Sequence, residues 1–298
     1  MKYPRLYKKL FCDPVMIEGS AFAGFANVLL ARMRGDNTVT PRAGVTPEQQ
    51  PDGNWLAYRK ILQATEQQSR LDDVYRQVGN IAIITIDGAI DRHLTSFEMS
   101  CYGGCDLVDI DRALDLAASD DSISSVVLNF ISPGGSVIGV PETAAKVAKL
   151  AKNKNVFAFT DSLCCSAAYY IASQADQIFA TRSAYVGSIG VYCAILDASG
   201  FYAEEGCKFQ FFKSGELKGA GLDFKPLTDD EAAMFQARVN SLGKMFRSAV
   251  TSKRPQVSAG TMQGQSFYGF APDDDDALSV GLIDDRVDSL DAVLAMLR

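Results

Sequence analysis

Hydrophobic positions change period along the chain. Ile81, Ile83, Ile84 and Ile86 mark a strand over Asn80–Asp87, stopped by the Asp87-Gly88 turn signal. Helical spacing over Leu107–Ala118 precedes a continuous apolar strand at Ser125–Phe130. A helix over Pro141–Lys152 leads to a strand at Val156–Thr160, then a helix through Tyr169–Ala175, a short strand at Gln177–Ala180 and another near Ile189–Ile195. Phe209–Lys213 reads as a further strand and Leu290–Leu297 as a closing helix. Between them Thr228–Ser252 reads as a long helix, because Thr228 with Glu231 three residues on is a capping-box pair. Strands alternating with helices predict an α/β domain with a largely parallel sheet.

Upstream the pattern is different. The apolar stretch Ala21–Ala31, flanked by Glu18 and Arg32, predicts an amphipathic helix; it is too short for a bilayer core that needs about 20 residues, so no stable membrane insertion is expected. Residues 35–54 collect Gly35, Asn37, Pro41, Gly44, Pro47, Pro51 and Gly53, a linker composition. A second helix is expected from Trp55 to Gln77. The division is therefore a helical arm and linker over 1–78 and an α/β domain over 79–298.

Composition narrows the chemistry. A net charge of −7 with scattered basic residues lacks the footprint that neutralises phosphates, so nucleic acid is not an expected partner. Seven cysteines, with Cys164 and Cys165 adjacent, suit neither a disulfide framework nor zinc and fit a reducing cytoplasm. His93 is the single histidine, which rules out a multi-histidine metal site and leaves a Ser–His–Asp triad only that one residue. The run Asp273–Asp276 lacks the spacing of a calcium loop and reads as a solvated acidic turn. No cofactor or metal is expected.

In an open α/β sheet ligands bind beyond the carboxyl ends of the strands, and three such loops carry chemistry. Ser132-Pro133-Gly134-Gly135-Ser136 has paired glycines that suit either an oxyanion-binding backbone or a tight turn. In Ser162–Tyr170, Ser166 opens a helix beside Ala167 and Ala168; it is either a helix cap or a nucleophile, with Cys164 and Cys165 as rivals. Lys213–Gly221 offers Lys213 and Lys218, either of which acts as a base only if its ammonium is desolvated or crowded by another cation. Between them, Ser188 in Val186-Gly187-Ser188-Ile189-Gly190-Val191 is a turn serine or a hydroxyl that orients a lysine.

Taken in order, Ser132–Gly135, Ser166–Ala172, Gly187–Val191 and Lys213–Lys218 resemble the signal peptide peptidase A family of serine peptidases, over roughly residues 79–287. The resemblance implies a Clp protease/crotonase-like α/β fold of repeated ββα-type units. It makes Ser166 the nucleophile, Lys218 the general base and Ser188 the lysine-orienting hydroxyl, with the amides of Gly135 and Ala167 as the oxyanion hole. Gly134, Ser136 and Val137 would run as an open strand edge that pairs with an extended substrate. Alanines follow Ser166 where glycines are usual, which resembles the phage members, as do the opening Leu6–Met16 and the Phe267-Tyr268…Gly281-Leu282-Ile283-Asp284 tail. The reading is thus a Ser–Lys endopeptidase of the lambda-type head-maturation subgroup, homo-oligomeric, acting on scaffold, portal or capsid polypeptides in the host cytoplasm or prohead. The alternatives are a cellular peptide-degrading homologue, a crotonase-type acyl-CoA enzyme working through carboxylates, and a non-catalytic capsid or scaffold-binding component.

Overall fold

The computed structural model describes residues 15–17, 68–94, 98–99 and 104–298. The helix expected over Ala21–Ala31, the linker 35–54 and most of the helix expected from Trp55 lie outside them.

The main sheet has six strands. In chain order these are β2 (Tyr75–Val78), β3 (Ile81–Asp87), β6 (Ser125–Ile131), β8 (Asn155–Thr160), β10 (Gln177–Ala180) and β13 (Asp285–Arg286), and in space they run β13-β10-β8-β6-β3-β2. All neighbours are parallel except β2, which returns antiparallel beside β3. Residues 68–74 are helical, but the helix expected to reach Gln77 stops short of β2, because Gly79 (φ 61°) and Asn80 turn the chain back onto β3. A strand at Val15–Ile17 (β1) likewise makes the described part of the arm less helical than its sequence suggests.

Three of the long strands are followed by one or two short ones and then a helix, the repeated ββα unit. β3 leads through β4 (Ile90–Asp91) and β5 (Cys105–Asp106) to α1 (Leu107–Ser119); β6 through β7 (Gly134–Ser136) to α2 (Val140–Leu150); β8 through β9 (Leu163–Cys165) to α3 (Ala167–Ala172). After β10, β11 (Tyr185–Gly187) opens an irregular stretch with α4 (Ser199–Glu204) before the long α5 (Asp229–Lys253), β12 (Ser266–Tyr268) and α6 (Leu290–Met296). The short strands form two small sheets, β1-β7-β4-β5 and β12-β11-β9, at the carboxyl ends of the main strands.

Alternation divides the core. Ala82, Ile84 and Ile86 of β3, with Val126, Leu128 and Phe130 of β6, face a large cluster roofed by α1, α2, α3 and α5. Ile81, Ile83, Val127, Phe159 and Phe179 point to the other face, where Val293 and Leu294 of α6 cover them. The capping box of α5 is complete: Thr228 accepts from the Glu231 amide, and the Glu231 carboxylate takes the Thr228 amide and the Lys225 ammonium.

Two expected strands are absent. The strand placed near Ile189–Ile195 lies earlier, at β11, because Gly187 (φ 116°) and Ser188 (φ 52°) break extended backbone. Phe209–Lys213 finds no neighbouring strand among the described residues to satisfy its backbone. Its rings pack locally instead: Phe209 stacks on Phe224 at 4.5 Å and meets Tyr202 edge-on at 5.0 Å. Phe212 is 88% exposed.

Candidate active site

Three turns meet where the short strands leave the main sheet. The first follows β6. Buried Ser132 donates its hydroxyl to the Gly88 carbonyl (2.7 Å) and accepts the Gly134 amide (3.2 Å), which fixes the turn into β7. Gly134 adopts φ 100°, and a methyl on it would overlap the Met16 carbonyl and stand 2.8 Å from Ser166 Cβ. A methyl on Gly135 would overlap the Ile90 backbone. Both glycines are therefore required by close backbone approach, and Gly134 places this turn directly against Ser166.

The second turn joins β9 to α3. Ser132 and Cys164 form a parallel bridge, in which Ser132 N–H donates to Leu163 and Cys165 N–H to Ser132. On its other side β9 pairs parallel with β11, Cys165 opposite Gly187. Ser166 comes next, with φ 55° and ψ −117°, outside the regions favoured for an L residue. Such conformations cost about 1–3 kcal/mol and persist only where the surroundings over-determine them. Here the Ser166 amide donates to the Gly187 carbonyl (2.7 Å), its carbonyl accepts from Tyr170 (2.9 Å), and the residue is 1% exposed. The Ser166 hydroxyl makes no capping hydrogen bond to α3, so of the two roles open in the sequence capping is not the one observed. Ala167, next along, is fully buried.

Ser188, one residue beyond Gly187, sits in the third turn, its amide donating to the Gln265 carbonyl (2.8 Å). Gly134, Gly135, Ser166, Ala167 and Ser188 are thus gathered at the carboxyl ends of β6, β8 and β10, with Ser136 and Val137 following Gly135.

Lys218 lies in a turn between Gly215 and Leu222, its side chain exposed, with no hydrogen bond to Ser166 or Ser188 among the described residues. Lys213 has its ammonium on Glu216, bonded to both the backbone carbonyl and the carboxylate. His93, on the turn after β4, is exposed and has φ 59°.

Both cysteine alternatives are buried. Burial pushes the Cys164 thiol well above its ordinary range, the reverse of an activated thiolate. Buried Cys165 donates to the Tyr185 carbonyl (3.4 Å). Asp276 departs from the solvated turn read in the sequence: it is 6% exposed, accepts the Leu278 and Ser279 amides and pairs with Arg286.

Sequence reasoning passed over the supports. Ser132 anchors the glycine turn, and Tyr169 ties α3 to the tail through a 2.8 Å bond to the Leu282 carbonyl. Most consequentially, β7 has no free edge: β1 pairs antiparallel on one side (Met16 opposite Gly135) and β4 parallel on the other (Ile90 opposite Gly135). The edge expected to be open at Gly134–Ser136 carries β1 in this structure, whose three residues gave no strand pattern in the sequence.

Comparison with known proteins finds chains of similar sequence. Capsid assembly protease C of Escherichia phage lambda is 28% identical over 306 residues, which cover 98% of this chain and 65% of that one. A Methanocaldococcus jannaschii protein named as a candidate protease is 34% identical over 175 residues, 58% of this chain and 55% of that one. Head-tail preconnector protein GP5 of an Enterobacteria phage is 27% identical over 227 residues, 75% and 44% respectively. The chain thus spans 44–65% of the length of these relatives. Among solved structures it is similar to a ClpP1 mutant of Listeria monocytogenes, 13% identical over 76% of this chain and 99% of that one, with TM-score 0.43. The model of peptidase family S49 matches residues 148–298, which contain Ser166, Ser188 and both lysines, and the chain belongs to that family.

Proposed function

We propose that this chain is a serine endopeptidase of Ser–Lys type that acts in phage head maturation on scaffold, portal or capsid polypeptides. The carrying observation is Ser166 itself: a serine forced to positive φ on a strand-to-helix turn, not used as a cap, against the backbone of Gly134. Similarity to the lambda protease along 98% of the chain supports the phage assignment over a cellular role. Family membership favours peptide hydrolysis over acyl-CoA chemistry. Among the described residues no helix is long and apolar enough to cross a membrane, in keeping with action in the host cytoplasm or prohead.

In this reading Ser166 Oγ attacks a peptide carbonyl while its proton passes to the neutral amine of Lys218. The amides of Gly135 and Ala167 receive the developing oxyanion, and Ser188 orients the lysine. The lysine returns its proton to the departing amine and then takes one from the water that opens the acyl-enzyme. A lysine that serves as a base needs a dry setting, and Lys218 stands exposed. Its exposure, on a segment that also exposes Phe209, Phe211, Phe212 and Leu217, calls for that segment to be covered, and homo-oligomerisation is the covering we propose.

The test is incubation of wild type, Ser166→Ala and Lys218→Ala with an unfolded protein substrate, followed by intact mass measurement. Cutting by wild type alone supports the dyad. Equal cutting by all three removes it, and no cutting by any favours a non-catalytic capsid component.

A further inference from the structure

The geometry around β7 points to a built-in occupant of the peptide-binding edge. Above Ser132 and Cys164, which are bridged, β7 and β9 part: β9 goes on to pair β11, and β7 pairs β1. The strand that fills this gap is Val15–Ile17, antiparallel to Gly134–Ser136 in the register Val15–Ser136, Met16–Gly135, Ile17–Gly134. One methyl placed on Gly134 would touch both the Met16 carbonyl oxygen and Ser166 Cβ, so these two atoms lie within about 5 Å of each other. A main-chain carbonyl of the protein's own amino-terminal segment thus stands beside the serine proposed to attack carbonyls. The Met16 side chain is fully buried and joins the main core cluster.

We infer that β1 is an intramolecular substrate mimic: it holds the edge on which an extended peptide would lie, and substrate gains the site by displacing it. This rests on the peptidase reading of Ser166. Strand addition draws affinity from main-chain hydrogen bonds, available to any extended segment, and selectivity from the side-chain positions that are buried. The ligand class is therefore an extended peptide with a flexible apolar residue where Met16 sits. A three-residue strand is a weak intramolecular competitor, and displacing it lowers the apparent affinity for substrate by the fraction of time the edge is open.

The experiment uses the full chain carrying Ser166→Ala, so that binding is read without turnover. The probe is a fluorescein-labelled synthetic peptide of residues 12–20, followed by anisotropy. Directly opposed cross-strand residues lie within disulfide range, so Val15→Cys with Ser136→Cys gives a lock whose closure is verified by peptide mapping. The oxidised lock is expected to bind the peptide at least tenfold more weakly than the same protein reduced. Ile17→Pro, which removes a strand amide, is expected to bind about tenfold more tightly than its parent. Equal binding by the oxidised and reduced lock overturns the inference. So does an Ile17→Pro protein that loses thermal stability without gaining affinity, since β1 is then a permanent strand. Turnover by the protein with Ser166 intact is scored separately, so failure of the peptidase reading leaves a distinct signature.

Discussion

Ser166 and Ser188 leave two paired parallel strands one residue beyond the register pair Cys165–Gly187, and both do so with positive φ, 55° and 52°. Neither serine prefers that conformation. The first is held by its amide on Gly187 and the second by its amide on Gln265, so one turn imposes the geometry of the next. The proposed nucleophile and the proposed lysine-orienting hydroxyl are therefore positioned by a single small sheet.

Ser188→Gly relieves the positive φ and is expected to keep or slightly raise the melting temperature, whereas Ser188→Ala retains the strain. Both are expected to lose turnover with little change in KM if the hydroxyl orients the lysine. Recovery of full activity by Ser188→Gly in steady-state assays would reduce Ser188 to a turn residue.

Gly135→Ala drives a methyl into the Ile90 backbone, which cannot move aside as a flexible side chain does. A loss of about 2–4 kcal/mol is expected, of the size seen for overpacking and backbone strain. Chemical denaturation measures it, and a cost below 1 kcal/mol would mean that β4 and β7 can separate.

The two lysines separate cleanly. Lys213 makes a surface ion pair with Glu216, so Lys213→Ala is expected to cost under about 1 kcal/mol and to leave cleavage within a few-fold. Lys218→Ala is expected to lower kcat by roughly 10²–10⁴-fold, the range for loss of a general base. Reversal of the two outcomes in a peptide-cleavage assay would move the base to Lys213.

Acid should loosen the fold through two buried carboxylates. The Lys225 ammonium, with the Thr228 amide, holds Glu231 below its usual range. At Asp276 burial works to raise the value, but the Ser279 amide and Arg286 outweigh it and hold it low. Both groups bind protons more weakly folded than unfolded, so their stabilisation is complete above the ordinary carboxylate range and is lost as pH falls through their folded values. Burial raises Asp109 despite Arg70, so its contribution runs the other way and weakens as pH rises. Melting temperature followed from pH 6 to 3 should fall, and Glu231→Gln should flatten the fall.

Much of the sheet was legible because each long strand is bounded by turn residues and its apolar positions are almost all buried, as with Ile81, Ile83, Ile84 and Ile86. The gathering of Gly135, Ser166 and Ser188 followed from motif order, since Ser166 and Ser188 directly follow short strands and Gly135 lies in the short strand after β6. What escaped the sequence depends on partners distant along the chain. Met16 becomes a strand residue only because β7 offers an edge some 120 residues away, and Asp276 looks solvated until Arg286 and the turn amides close on it. Phe209–Lys213 failed for the opposite reason: its apolar residues suit a strand, but among the described residues no edge receives it.

The small cluster on the far face has a separate consequence. Val293 and Leu294 of the seven-residue α6 roof it, with Leu290, Leu297 and Val287 partly buried beside them, and β13 holds the adjacent edge through two register pairs, Phe179–Asp285 and Ala180–Arg286. Units with so little burial open at a free energy below that of the whole domain. Lifting of α6 with β13 is the expected subglobal opening: amides of β10 should exchange with solvent before those of the turns bearing Ser132, Ser166 and Ser188. Motion on one face of the sheet would then leave the proposed catalytic turns on the other in register.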